Sequence, residues 1–173
     1  MASNTTGSSA AAAEAVILRG PRPGDIGWSI SRQAAFYTDH FGWDDGFEAL
    51  LCKISSDFLN NFDPAYERCW IAEQSGRNVG CIFLVRQSDG VAQLRMLYVE
   101  PDAQGHGIGW RLVEACVAEA RRIGYRRMVL WTNAELPAAR KLYEESGFRL
   151  ESEDHDRKFG KDFHGQEWAL DLA

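Results

Sequence analysis

The sequence has no cysteine pair at metal-binding spacing. Cys52, Cys69, Cys81 and Cys116 lie 17, 12 and 35 residues apart, which fits neither a zinc motif nor a small-domain disulfide framework and suits a reducing cytoplasm. Positive charge is not in surplus either: Lys and Arg number 19 against 25 Asp and Glu, a net charge of −6, so no basic face for nucleic acid is expected. No apolar run approaches the ~18 residues of a membrane span. The first residues lack the basic and apolar segments of a secretory signal, so neither membrane insertion nor export is expected. Gly-Lys-Ser/Thr is missing, and with it a P-loop. G-x-S-x-G is missing too, which removes support for a serine hydrolase. Asp154-His155-Asp156 has no partner at helical or hairpin ligand spacing and reads as a polar loop rather than a metal site.

What is present describes one globular domain. The 173 residues are 45% hydrophobic and 12% aromatic, enough to bury about two-thirds of the surface of the unfolded chain. Residues 1–14 (MASNTTGSSAAAAE) have little to bury and read as a flexible tail, leaving residues 15–173 as a single domain.

Ala15 to Arg19 reads as a short strand closed by Gly20-Pro21-Arg22-Pro23-Gly24. A helix is expected over Ser31 to Phe41, broken near Gly42. A second helix has Asp45 and Glu48 as a capping box, Phe47, Leu51, Ile54 and Phe58 on one face, and Phe62-Asp63-Pro64 as its stop. Strands are expected at Cys69–Gln74, Val79–Val85 and Leu94–Val99, the last entered through the hairpin signal Asp89-Gly90. A glycine-rich loop, Gln104 to Gly109, then leads into a long helix ending near Gly124, with Ile108, Leu112, Cys116 and Ile123 on one face. A strand at Met128–Trp131, a helix from Pro137 to Ser146 capped by Gly147, a strand at Phe148–Glu153 and a half-buried strand with Trp168, Leu170 and Leu172 complete the chain. Strand, loop, helix and strand from Leu94 to Trp131 form a right-handed crossover, so those two strands should be parallel. The fold class expected is α/β (α+β mixed sheet), a central mixed sheet flanked by helices.

The loop Gln104-Gly105-His106-Gly107-Ile108-Gly109 sits between a strand and a helix, where free N–H groups and the helix dipole favour an anion. A Rossmann fingerprint fails, because the third glycine position falls on Trp110 or Leu112. What remains, Q-x-x-G-x-G after Leu97-Tyr98-Val99-Glu100-Pro101, resembles the acetyl-coenzyme A signature of the GNAT N-acetyltransferase superfamily. Leu130-Trp131-Thr132-Asn133 and Ala139-Arg140-Lys141-Leu142-Tyr143 through Gly147-Phe148 resemble that family's second block. More closely, Gly24 to Trp28, Asn61 to Pro64, Glu67 to Glu73 and Phe159 to Asp162 resemble the acetyltransferase domain fused to MarR-type repressors. About fourteen residues before the first strand cannot make a winged helix, so DNA binding is not carried over. Gln33 stands where that branch often has His.

The resemblance implies transfer of acetyl from acetyl-CoA, with no metal, to a small-molecule or peptidic amine, in the cytoplasm and with a homodimer possible. It implies that the pyrophosphate sits on the N–H groups of Gln104, Gly105, His106, Gly107, Ile108 and Gly109. The pantetheine arm would lie along Leu97, Tyr98 and Val99, with Asn133 reaching it from the neighbouring strand and Arg140 near the phosphates. A main-chain N–H near Leu97 would hold the thioester oxyanion, and Tyr143 would meet the departing thiolate. A non-catalytic acyl-CoA-binding sensor is the alternative.

The residues leave the base that deprotonates the amine unassigned. Glu100 reads as solvent-facing, His106 as better placed for an anion, and Glu48 and Asp39 as solvated charges. Arg111 and Lys141 read either as phosphate contacts or as solvated helix charges. Asp39, Asp44, Asp45 and Glu48 could draw a cationic amine or be caps and an exposed face. Tyr37, Phe41, Trp43 and Phe47 could line an acceptor pocket, but core packing accounts for them better.

Overall fold

The computed structural model describes residues 15–173, so the expected tail over residues 1–14 lies outside the described residues. Seven strands form one sheet in the order β1-β2-β3-β4-β5-β7-β6, with β1 Ile17–Arg19, β2 Arg68–Gln74, β3 Arg77–Ser88, β4 Val91–Val99, β5 Arg127–Asn133, β6 Arg149–Lys158 and β7 Lys161–Asp171. Every neighbouring pair is antiparallel except β4 and β5, which are parallel as the crossover requires. Four helices flank it: α1 Asp25–Phe41, α2 Asp45–Asn61, α3 Ile108–Ile123 and α4 Pro137–Glu145. None of these helices is long and apolar enough to cross a membrane.

The mixed sheet flanked by helices matches the expected class. Several boundaries do not: β1 starts two residues later than expected, β3, β4 and β5 run longer, and three further differences have a clear cause. Helix α1 begins at Asp25, not Ser31, because the Asp25 carboxylate accepts the Arg22 N–H at 2.6 Å and pairs with Arg19 at 2.7 Å, locking the first turn. The cap of α2 is Asp44, not Asp45: its side chain accepts the Gly46 N–H at 3.0 Å. The Asp154-His155-Asp156 stretch read as a loop is strand, part of a ten-residue β6 whose side chains are nearly all exposed. An outermost strand pairs on one side and faces water on both faces, so it carries no apolar alternation to read.

Alternation along the central strands divides the core in two. Val79, Ile82, Leu84, Ala92 and Leu94 meet Leu112, Val113, Cys116 and Ala120 of α3. Cys81, Phe83, Met96 and Tyr98 face the other way, toward Ile26 of α1, Trp43, and Phe47, Leu51 and Phe58 of α2. Each fully buried side chain of this size contributes about 1.5–3 kcal/mol. Helix α3 stops at Gly124, whose left-handed backbone (φ 99°) lets its N–H reach back to the Ala120 and Arg121 carbonyls.

Candidate active site

The sheet opens in its middle. Strands β4 and β5 are paired only from Val91–Gln93 to Arg127–Val129. Beyond that point β4 runs on to Val99 beside β3, while β5 runs on to Asn133 beside β7. The β5-facing groups of β4 past Gln93 therefore have no strand partner.

A bulge accentuates the parting. Arg95 is opposite Phe83 and Tyr98 is opposite Cys81, so Met96 and Leu97 together face the single residue Ile82. Met96 takes the left-handed backbone (φ 54°), a conformation that costs a side-chain-bearing residue about 1–3 kcal/mol and persists only where its surroundings enforce it. Here they do. The Cys81 thiol donates to the Met96 carbonyl at 3.2 Å, Ser29 lies 3.0 Å from the same sulfur, and the Gln33 amide donates to Ser29 at 2.8 Å. From α2, the Ser55 hydroxyl reaches the Met96 sulfur at 3.6 Å. Burial pushes the Cys81 thiol up to about 12, so it keeps its proton and remains a donor at neutral pH.

A cavity of about 510 Å³ fills the opening. Its floor is Gln93 to Val99, one end is Gln104, Gly105 and Gly107 to Trp110, and one wall is Trp131, Thr132, Leu136 to Ala139, Leu142 and Tyr143. The opposite wall comes from Gln33, Phe36, Tyr37 and Phe41 of α1, Trp43, and Phe47, Leu50, Leu51 and Ile54 of α2. Tyr37, Phe41, Trp43 and Phe47 thus pack in the core and line the cavity at once; Tyr37 stacks on Trp43 with centroids 4.6 Å apart.

The glycine loop meets this cavity with bare main chain. Gly105 and Gly107 have φ of 79° and 78°, which turn the chain without a side chain in the way. The first bond of α3 runs from the Arg111 N–H to the Gly107 carbonyl at 3.0 Å, so the N–H groups of Ile108, Gly109 and Trp110 have no acceptor within the helix. The Gln104 side chain points back and donates to the Val99 carbonyl at 3.1 Å.

Tyr143 is 5% exposed and lines the cavity. Burial, with Tyr37 and Cys116 nearby, pushes its phenol above the ordinary value, so it stays protonated and able to donate. Three expected site residues are not in the lining. His106 is exposed and turns its Nδ1 toward the Ala103 carbonyl at 3.4 Å. Asn133 is fully buried, accepts the Glu135 N–H at 2.9 Å and leaves its Nδ2 without a partner. Arg140 contacts the Ala134 carbonyl at 3.4 Å and leaves Nε unpartnered.

Glu100 does not face solvent. It is 6% exposed, held on both oxygens by Arg32 at 2.7 and 3.0 Å, and accepts the Tyr98 hydroxyl at 3.1 Å. Arg32 gave no signal in the sequence, since its partner lies 68 positions away. Arg111 donates to the Val16 carbonyl, and Lys141 pairs on the surface with Glu145 at 3.7 Å. Asp39, Asp44, Asp45 and Glu48 are all outside the lining. Among the described residues that line the cavity, Arg95 alone carries a charge; no carboxylate or imidazole is there. Among the described residues no group of three or more His, Cys, Asp or Glu side chains could hold a metal ion. Asp154 and Asp156 pair with Lys158 at 3.6 and 3.7 Å, and His155 stacks on His164.

Comparison with known proteins gives consistent matches. The family model described as acetyltransferase (GNAT) family matches residues 30–148. Mycothiol acetyltransferase of Geodermatophilus obscurus is 38% identical over 66 residues, covering 38% of this chain and 21% of that protein. N-acetylaspartate synthetase of Danio rerio is 35% identical over 112 residues, covering 62% of this chain and 40% of that one. The matches therefore span less than half the length of either relative. The solved structure of yncA from Salmonella typhimurium, which contains its cofactor acetyl-CoA, superposes with a TM-score of 0.72 at 22% identity, over 92% of this chain and 95% of that one.

Proposed function

The chain belongs to the acetyltransferase (GNAT) family, and from that premise we propose that residues 15–173 form one domain that moves an acetyl group from acetyl-CoA directly to a primary amine. The observation that carries the proposal is the parting of β4 from β5 beside a glycine loop with free N–H groups. The diphosphate of the coenzyme sits on the N–H groups from Gln104 to Gly109, where the start of α3 adds its dipole. The pantetheine arm takes the strand place that β5 gives up, against Leu97, Tyr98 and Val99. Asn133 and Arg140, each with a buried unpartnered donor, stand behind the cavity wall and reach the coenzyme only once their side chains turn toward it, since neither lines the cavity.

In the reaction the amine lone pair attacks the thioester carbon. The oxygen that gathers charge is held by the Leu97 N–H, turned out of the β3 ladder by the bulge at Met96; such a donor is worth ~3–4 kcal/mol. The C–S bond then breaks, and the sulfur leaves as thiolate onto the Tyr143 hydroxyl. Tyr143 acts by donating a hydrogen bond, because a thiol near ~8.5 does not need a full proton from a phenol above ~10. No lining side chain is placed to take the ammonium proton, so water receives it. A lysine-like amine of pKa ~10.4 then carries a cost of about 4.6 kcal/mol at pH 7, and kcat/KM should rise about tenfold per pH unit until the amine titrates. The kinship with domains fused to MarR-type repressors is part of the same proposal and rests on Gly24 to Trp28 and Phe159 to Asp162.

Titration with acetyl-CoA tests the coenzyme site: saturation at ~100 times Kd stabilises the fold by about 2.7 kcal/mol, seen as a raised melting temperature. Thiol release across a panel of amines tests the chemistry. No melting shift sinks the proposal. A shift without thiol release on any amine returns the chain to a non-catalytic acyl-CoA-binding domain.

A further inference from the structure

We propose that the acceptor is an amine that also bears a carboxylate, an amino acid with an apolar side chain, and that Arg95 is the residue that selects it. The inference rests on the coenzyme reading above, which divides β4 at the bulge. Leu97 to Val99 and the glycine loop beyond them belong to the coenzyme. Arg95 lies on the other side of the reacting carbon, about 7 Å of strand before Leu97, where the acceptor must enter. The bulge also fixes its face: Arg95 and Met96 precede Leu97 on the side of α1 and α2.

Among the described residues Arg95 shares the lack of a carboxylate within 4 Å with Arg111, Arg121, Arg126, Arg140 and Arg149, but it is the one arginine that lines the cavity. Arg19, Arg32, Arg68, Arg77, Arg86, Arg122, Arg127 and Arg157 each pair with a carboxylate within 4 Å. Arg95 lines the cavity, is half-buried, and has no such partner among the described residues. The carboxylate that acts on it at longer range, Asp57, is already bound to Lys53 at 2.7 Å. Burial weakens the hold of Arg95 on its proton, as expected of a cation drawn away from water without compensation. A guanidinium presents two parallel N–H groups in the geometry a carboxylate accepts. The α2 residues that line the cavity, Phe47, Leu50, Leu51 and Ile54, are all apolar, which suits an acceptor whose remainder is apolar.

Equilibrium binding to the purified chain, read by titration calorimetry without coenzyme, tests this with two matched pairs: L-phenylalanine against L-phenylalaninamide, and L-leucine against L-leucinamide. The acid of each pair is expected to bind ~10- to 100-fold more tightly than its amide. In Arg95→Gln that preference falls below about threefold, and in Arg95→Lys part of it returns. Equal or tighter binding of the amides, no binding of any of the four, or a preference that survives Arg95→Gln overturns the inference. The comparison of acid with amide in the unaltered protein stands even if a variant does not fold. The acetyl-CoA titration is separate, so loss of the coenzyme reading and loss of this one give different results.

Discussion

The two faces of the sheet are built from different side chains and end differently. Under α3, small and aliphatic residues meet: Val79, Ile82, Leu84, Ala92 and Leu94 against Leu112, Val113 and Cys116, nearly all without exposed surface. Under α1 and α2 the residues are mostly rings, with Trp43 against Phe47 at 4.7 Å, Trp131 against Phe163 at 5.0 Å and Phe58 against Phe83 at 4.9 Å. Aliphatic chains interdigitate and close the space between layers. Rings hold one another stacked, tilted or edge to face at set separations, so a wall of them can stand around a hollow. The ring-rich face supplies one wall of the cavity, and the edge of the aliphatic face, with Ile108, Leu142 and Tyr143, supplies the wall opposite.

That division can be broken by substitution. The largest effect is expected from Leu112→Ala, which removes a side chain with no exposed surface and should cost ~2–5 kcal/mol in denaturant unfolding. Activity per folded molecule should stay within about twofold; a large loss would mean that the two faces are not separable. Tyr143→Phe should do the reverse, lowering kcat by ~10²-fold with little change in melting temperature or in KM for acetyl-CoA. Wild-type turnover in that variant would strip Tyr143 of its role.

Asp25 sharpens the comparison, because it ties α1 to β1 through Arg19 and to β3 through Asn78. Burial alone would raise its pKa, but hydrogen bonds from Arg19, the Arg22 N–H and Asn78 bring it down to about 2 from 3.8. A carboxylate with a lowered folded pKa stabilises the protein above its unfolded value and loses that contribution as pH falls through the folded one. Melting should therefore drop between pH 4 and pH 2 by the equivalent of ~2 kcal/mol, and Asp25→Asn should flatten that drop. A curve unchanged by the substitution would remove Asp25 as the anchor. The smallest effect is expected at Gly107, where φ of 78° makes Ala cost about 1–2 kcal/mol. Denaturant unfolding of Gly107→Ala should show a loss of that size, and an unchanged stability would mean that the loop relaxes to accept a side chain.

Much of the aliphatic face was legible, because its residues recur at the periods of helix and strand: Ile108, Leu112 and Cys116 mark α3 by spacing alone. The glycine loop was legible too, since its glycines mark its place between strand and helix. The bulge was not. Nothing in Gln93-Leu94-Arg95-Met96-Leu97-Tyr98 signals that Met96 turns left-handed, since that conformation is imposed from Cys81, Ser29 and Ser55 on three other elements. Glu100 was misread for a similar reason: its burial depends on Arg32, brought to it only by the packing of α1. Asn133, expected at the coenzyme, is one residue beyond Thr132, the last residue of β5 that reaches the cavity.

The gap between β4 and β5 has one more consequence. A strand with vacant ladder positions at the rim of a sheet invites foreign chains to add on, and proteins guard such rims with charge; here β6 bears Glu151, Glu153, Asp154, Asp156, Arg157 and Lys158. The vacancy beside Leu97 needs no such guard, because strands continue on both sides of it and helices roof it above and below. A slender, flexible molecule can thread in where a polypeptide cannot, so the unfinished ladder is sticky toward its guest and inert toward the crowd.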